Sequence, residues 1–166
     1  MRPIVLFTVV ATVFAVPAAA SAFVSGGDGD GALSVRNGRG KVVLYPFNGS
    51  AVGRVGHGRI VINDPIEGDG EGFDLWGCDL RLHPSDTATV CIGDNLHFRA
   101  VGGKYKIVVK GSGIFLSAVG RGVATIDGSG DDPFIDSDGA FSLNDSPYRS
   151  LPDSDKQFQL AVPSGG

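Results

Sequence analysis

Carboxylates spaced by glycines are the residues whose type and pattern most suggest chemistry in this sequence. The stretch IDGSGDDPFIDSDGAF (126–141) carries Asp127, Asp131, Asp132, Asp136 and Asp138. Acids at close intervals with glycine between them can fold several oxygens around a hard cation. These five are therefore candidate calcium ligands, and calcium is the cofactor expected if there is one. Extracellular calcium sites work at Kd values of ~10⁻⁴–10⁻³ M, so a weak site would still fill. Two further stretches share the pattern. IEGDGEGFD (66–74) carries Glu67, Asp69, Glu71 and Asp74, and GGDGDGAL (26–33) carries Asp28 and Asp30.

The local motifs are incomplete. Asp136-x-Asp138-Gly139 lacks the upstream Asp and downstream Glu of an EF-hand loop. GGDGDGAL has Gly31 where a calcium β-roll has aspartate, and it occurs once, whereas a roll needs stacked copies. The simpler origin of such stretches is that Asp and Gly make good, soluble turns. The same acids read alternatively as the pair of a hydrolase acting on an extracellular polymer, which needs two carboxyls ~5–9 Å apart. A sugar-lining aromatic wall would have to come from Trp76, the single tryptophan, with Tyr45, Tyr105 and Tyr148. Trp76 stands two positions from Cys78, which predicts packing against a disulfide. His57, His83 and His97 are not spaced with another His, Cys or Glu as a local zinc motif would require. Ser112, in GSG (111–113), is the nearest imitation of a nucleophile elbow, but it opens a predicted strand and not a helix. No catalytic residue is nominated.

The elements that would position these groups are strands. Apolar and polar residues alternate in Asn95–Ala100, Lys104–Lys110 and 157–162, as on a half-buried strand. Further strands are predicted at 33–37, 40–47, 51–55, 59–63, 73–82, 87–92, 112–118 and 122–127. Asn37-Gly38 and Asn48-Gly49 read as two-residue hairpin turns. No helix is predicted in the chain after residue 22. VGHGRIVIND (55–64) aligns with VGRGVATIDG (119–128), and GRGKVVL (38–44) repeats the G-x-G-strand pattern a third time. The expected fold is all-β: an antiparallel β-sandwich, or flattened barrel, of about 8–10 short strands. Cys78 and Cys91 are the only cysteines and predict one disulfide, worth ~3 kcal/mol for a loop of that size. A turn centred on Pro84-Ser85 would put Cys78 opposite Cys91. That register leaves Leu80 and Leu82 on the face opposite to Val90 and Ile92, unless a bulge shifts one strand.

Residues 1–22 read as a secretory signal peptide: Arg2, an apolar run from Ile4 to Val16, then small residues ending Ala20-Ser21-Ala22. Cleavage after Ala22 would leave residues 23–166 as a single all-β domain with Gly/Asp-rich loops and no membrane span. It removes one base and no acid, changing the net charge from −4 to −5. An acidic chain without basic clusters is a poor partner for nucleic acid. The expectation is therefore a secreted, non-catalytic binding or structural module, with an extracellular ligand or an envelope component as partner. The alternatives are a calcium-stabilised binding domain and the hydrolase.

Overall fold

The computed structural model describes residues 29–128 and 138–160. These form strands and connections with no helix among them. The strands are β1 (Gly31–Asn63), β2 (Gly72–Trp76), β3 (Leu80–Ser85), β4 (Ala88–Gly128), β5 (Ala140–Leu143), β6 (Arg149–Ser150) and β7 (Lys156–Gln159). All pairings are antiparallel. The expected all-β fold is thus present, and its pairing and shared core are consistent with a sandwich.

The strand plan differs from the one expected. Four predicted strands (33–37, 40–47, 51–55, 59–63) are pieces of the single strand β1, and five more between 87 and 127 are pieces of β4. The two long strands pair along both edges of one another. Leu44 faces Ile107 on one side and Ala124 on the other; Ile62 likewise faces Thr89 and Ile107.

Glycines make this winding feasible. Gly128, Gly40, Gly111, Gly58 and Gly93 stand side by side across the strands, and Gly31, Gly120, Gly49 and Gly103 form a second row. Gly58 and Gly111 have φ of +153° and +151°, a region that side chains strongly disfavour. A Cβ on Gly58 would lie 2.1 Å from the Lys110 carbonyl oxygen, and one on Gly111 2.1 Å from that of His57. At each row the long strands pass from one layer of the sandwich to the other. One layer holds 31–38, 49–57, 94–101 and 112–119, extended by β2, β5 and β6. The other holds 40–47, 58–63, 88–92, 104–110 and 122–127, extended by β3 and β7. Bends and bulges that carry a strand between layers are the usual corners of such packings.

The layers share one core. Leu33, Val35, Ala51, Leu96, Phe98 and Leu116 of the first pack in the same cluster as Val42, Leu44, Ile60, Ile62 and Ile107 of the second. The inward phase slips between segments: Leu33 and Val35 are buried before the first bend, Val42 and Leu44 after it. The two Asn-Gly pairs are not hairpin turns. Asn37 (φ +49°) sits in a bulge, and Gly49 in a row, because β4 partners on both edges outcompete a local reversal. The second glycine of each G-x-G copy (Gly40, Gly58 and Gly122) has positive φ, so the repeat marks strand bends.

The predicted 73–82 strand breaks at Gly77–Asp79, where Gly77 has φ +77°. The hairpin turns at Asp86-Thr87, with Ser85 facing Ala88, so the Pro84-Ser85 centre was misplaced. A bulge between Leu82 and Ser85 pairs Leu80 with Ile92 and Leu82 with Val90, which settles the facing conflict. Cys91 then faces Arg81, not Cys78. The disulfide nevertheless forms from the break, with Cα atoms 5.1 Å apart, and Cys91 is fully buried. Trp76 does not join the core; it is 50% exposed on the outer face. β5 and β6 were not predicted.

Replacing Gly58 by Ala combines disfavoured φ with a backbone clash, and should cost about 3 kcal/mol or more in urea unfolding. Gly68→Ala, at φ +79° with nothing within 4 Å of the new methyl, should cost only about 1 kcal/mol. Equal costs would mean that the close approach at the rows does not matter.

Candidate functional site

The acidic residues are largely engaged by cations and backbone donors. Lys41 Nζ lies 2.8 Å from Asp155 and 3.4 Å from Asp127. The Asp155 hydrogen bond is the main cause of a raised Lys41 pKa, with Asp127 adding to it against desolvation. A metal ion taking Asp127 would have to displace this lysine. Asp138 is described, and its carbonyl accepts from Arg39 N–H at 2.8 Å; Asp131, Asp132 and Asp136 lie outside the described residues. Arg99 holds Glu71 at 3.1 Å and approaches Asp74 at 4.0 Å. Arg121 holds Asp30 at 3.0 Å, and Asp69 accepts from the Lys104 N–H. Among the described residues, no group of three or more His, Cys, Asp or Glu side chains is arranged to hold a metal.

The first glycine row floors an open groove of about 740 Å³. One wall brings together residues that looked unrelated in sequence. His57 is flanked by Asp94 on one neighbouring segment of β4 and Ser112 on another. The His57 Nδ1 lies 2.6 Å from Asp94 Oδ1. This resembles the order of a nucleophilic triad, but no hydrogen bond joins Ser112 to the ring among the described residues. The His57 and Asp94 side chains are 79% and 66% exposed, so nothing there excludes water. His83 Nδ1 lies 3.1 Å from the Thr89 hydroxyl, in a structural role.

A second cleft, of about 600 Å³, lies beside the other glycine row. Its wall is Tyr45, joined to Pro46 by a cis peptide, with Phe47 and Tyr105 behind. Lys104, Lys106 and Arg121 edge it, and no carboxylate lines it. Tyr45 is 58% exposed, and Lys106 Nζ stands 5.2 Å from its ring centroid. Tyr105 is buried, its hydroxyl donating to Gly72 and Val101 carbonyls at 3.1 Å each. Beside this tyrosine, Asp64 Oδ1 is buried with no hydrogen-bond partner among the described residues. Desolvation raises the Asp64 carboxyl above its usual range, and Asp69 and Glu67 add to the rise. Desolvation, with Asp64 and Asp69, also raises the Tyr105 phenol. An aromatic wall edged by cations, with a few polar groups converging on it, suits an anionic ligand with an apolar body.

Sequence reasoning had nominated none of these cleft residues as a unit. The alternation in Lys104–Lys110 was visible, but the partner segment around Tyr45 is set by a pairing 58 residues away in the chain, Phe47 with Tyr105. No family model, curated protein or solved structure matches the chain.

Asp64 yields a pH prediction. Its folded pKa lies above the unfolded value, so its contribution to stability is fully present below the unfolded pKa and is lost as pH rises through the folded one. Asp64→Asn should therefore be more stable than the parent at pH 7, by up to about 1 kcal/mol, with the difference vanishing near pH 3. Melting curves across that range check this; a variant destabilised at pH 7 contradicts it.

Proposed function

We propose that the chain is the precursor of a secreted, non-catalytic binding module, with residues 1–22 removed on export and the ligand seated in the Tyr45 cleft. The observation that carries this reading is the lining of that cleft: Tyr45 and Pro46 as a wall, Lys104 and Lys106 as a cationic rim beside the Asp30-paired Arg121, and no acid–base pair. Such a seat attracts a small organic anion bearing an apolar ring, which stacks on Tyr45 while its charge meets Lys106. Neither cleft combines two carboxylates with an aromatic wall, as polymer hydrolysis through Asp/Glu would need. The first glycine row's groove has Asp79 and Asp94 but no aromatic residue in its lining.

Anilinonaphthalene sulfonate, an anionic aromatic probe, should bind the folded protein at one site. Tyr45→Ala and Lys106→Gln should each weaken it by about 5- to 10-fold. Both side chains are exposed, so stability should stay within about 0.5 kcal/mol of the parent. Binding indifferent to both substitutions contradicts the cleft. N-terminal sequencing of exported material should begin at Phe23; a retained residue 1–22 segment contradicts the export step.

A further inference from the structure

The first layer's outer face carries a second feature, unconnected with the cleft. Across five neighbouring segments the outward positions run Trp76, His97, Arg54, Phe115, then Arg36, with Tyr148 beyond. Trp76 faces His97, His97 faces Arg54, and Arg54 faces Phe115. At the far end, the register shift between Val35 and Gly38 places Arg36 and Asn37 opposite Phe115. Bulges of this kind re-aim a side chain. Here Arg36 lies over the Tyr148 ring at 4.1 Å, while Arg54 lies over Phe115 at 4.2 Å. The Tyr148 hydroxyl is 2.7 Å from that of Ser34, which fixes its ring at the edge of the row. Trp76 and Tyr148 remain substantially exposed. A shallow depression of about 350 Å³ runs along Arg36, Arg54, His97 and Phe115, with Ser34 and Ser117 on its other side.

We propose that this row is a platform for a linear polysaccharide bearing carboxylates. The rings alternate with cations along the row. Trp76, half-exposed and with no cation over its ring among the described residues, offers a flat apolar face to a sugar ring, and the guanidinium planes laid on Phe115 and Tyr148 continue the surface with donors. Neither Arg36 nor Arg54 has a carboxylate partner among the described residues. Each is instead laid on an aromatic ring with its fork left to accept a bidentate carboxylate. Arg99, by contrast, is satisfied by Glu71 and Asp74 and adds little. The two arginines stand on segments of β1 separated by one segment of β4, ~9.6 Å apart at the backbone, which is close to the length of a disaccharide. Hydroxyls of Ser34 and Ser117, paired across the strands, border the row where sugar hydroxyls would lie. The cations of this face are interleaved with rings and not clustered, as binding to a polyphosphate backbone would need.

Affinity electrophoresis tests this with polygalacturonate, a neutral soluble glucan and oligo(dT) as probes. The protein should be retarded by polygalacturonate alone, less so as salt rises. Arg54→Gln and Arg36→Gln should each weaken retardation about 5- to 20-fold, and Trp76→Ala similarly. Tyr45→Ala should leave it unchanged, which separates this face from the cleft. Circular dichroism melts identify any variant that fails to fold, and Arg54→Lys, which keeps charge without the fork, should recover only part of the loss. No retardation by polygalacturonate overturns the proposal. So does equal retardation by the neutral glucan, tighter retention by oligo(dT), or binding unaffected by both arginine substitutions.

Discussion

The structure depends on backbone segments approaching one another more closely than side chains permit. At Gly58 and Gly111 each Cα stands against the carbonyl of the residue before its partner glycine, a space that any Cβ would fill. Because this contact recurs along a row, every segment crossing it can bend at the same level. Two strands of 33 and 41 residues can then supply most of both layers. Side-chain burial follows from that geometry. The bends reset the inward phase so that valine, isoleucine and leucine from each segment reach one shared core. Hydrophobic burial provides the driving force, and the glycine rows determine which pairing that force selects.

Function inherits the same constraint. The rows leave side-chain-free corners, and the clefts open beside them. The groove with His57 follows one row and the Tyr45 cleft the other. Between corners, the segments run side by side and present outer faces. Arg36, Arg54 and Phe115, far apart in the chain, become neighbours only because β1 and β4 pass through the same layer repeatedly.

Much of the fold was legible in sequence. Alternation identified nearly every piece of β1 and β4, and the cysteine count identified the disulfide. The joins between those pieces were misread, because Asn-Gly is a local turn signal whose outcome here is decided by distant partners on both edges. Glycines recur every nine residues at 31, 40, 49 and 58, and again at 93, 102, 111 and 120, a spacing that marks the bends in the sequence itself. The acidic residues drew attention by their spacing, yet Asp127, Glu71 and Asp30 meet Lys41, Arg99 and Arg121, pairings that no local pattern discloses. The aromatic–cation row was illegible for a related reason, since its members come from six separate stretches.

The winding itself can be observed directly. In nuclear Overhauser spectra, the Gly111 α-protons should show cross-strand contacts to both Gly40 and Gly58, and those of Gly120 to both Gly31 and Gly49. Contacts from Gly111 to only one of its two expected partners would contradict the double-edged pairing on which the layers, the clefts and the outer face all rest.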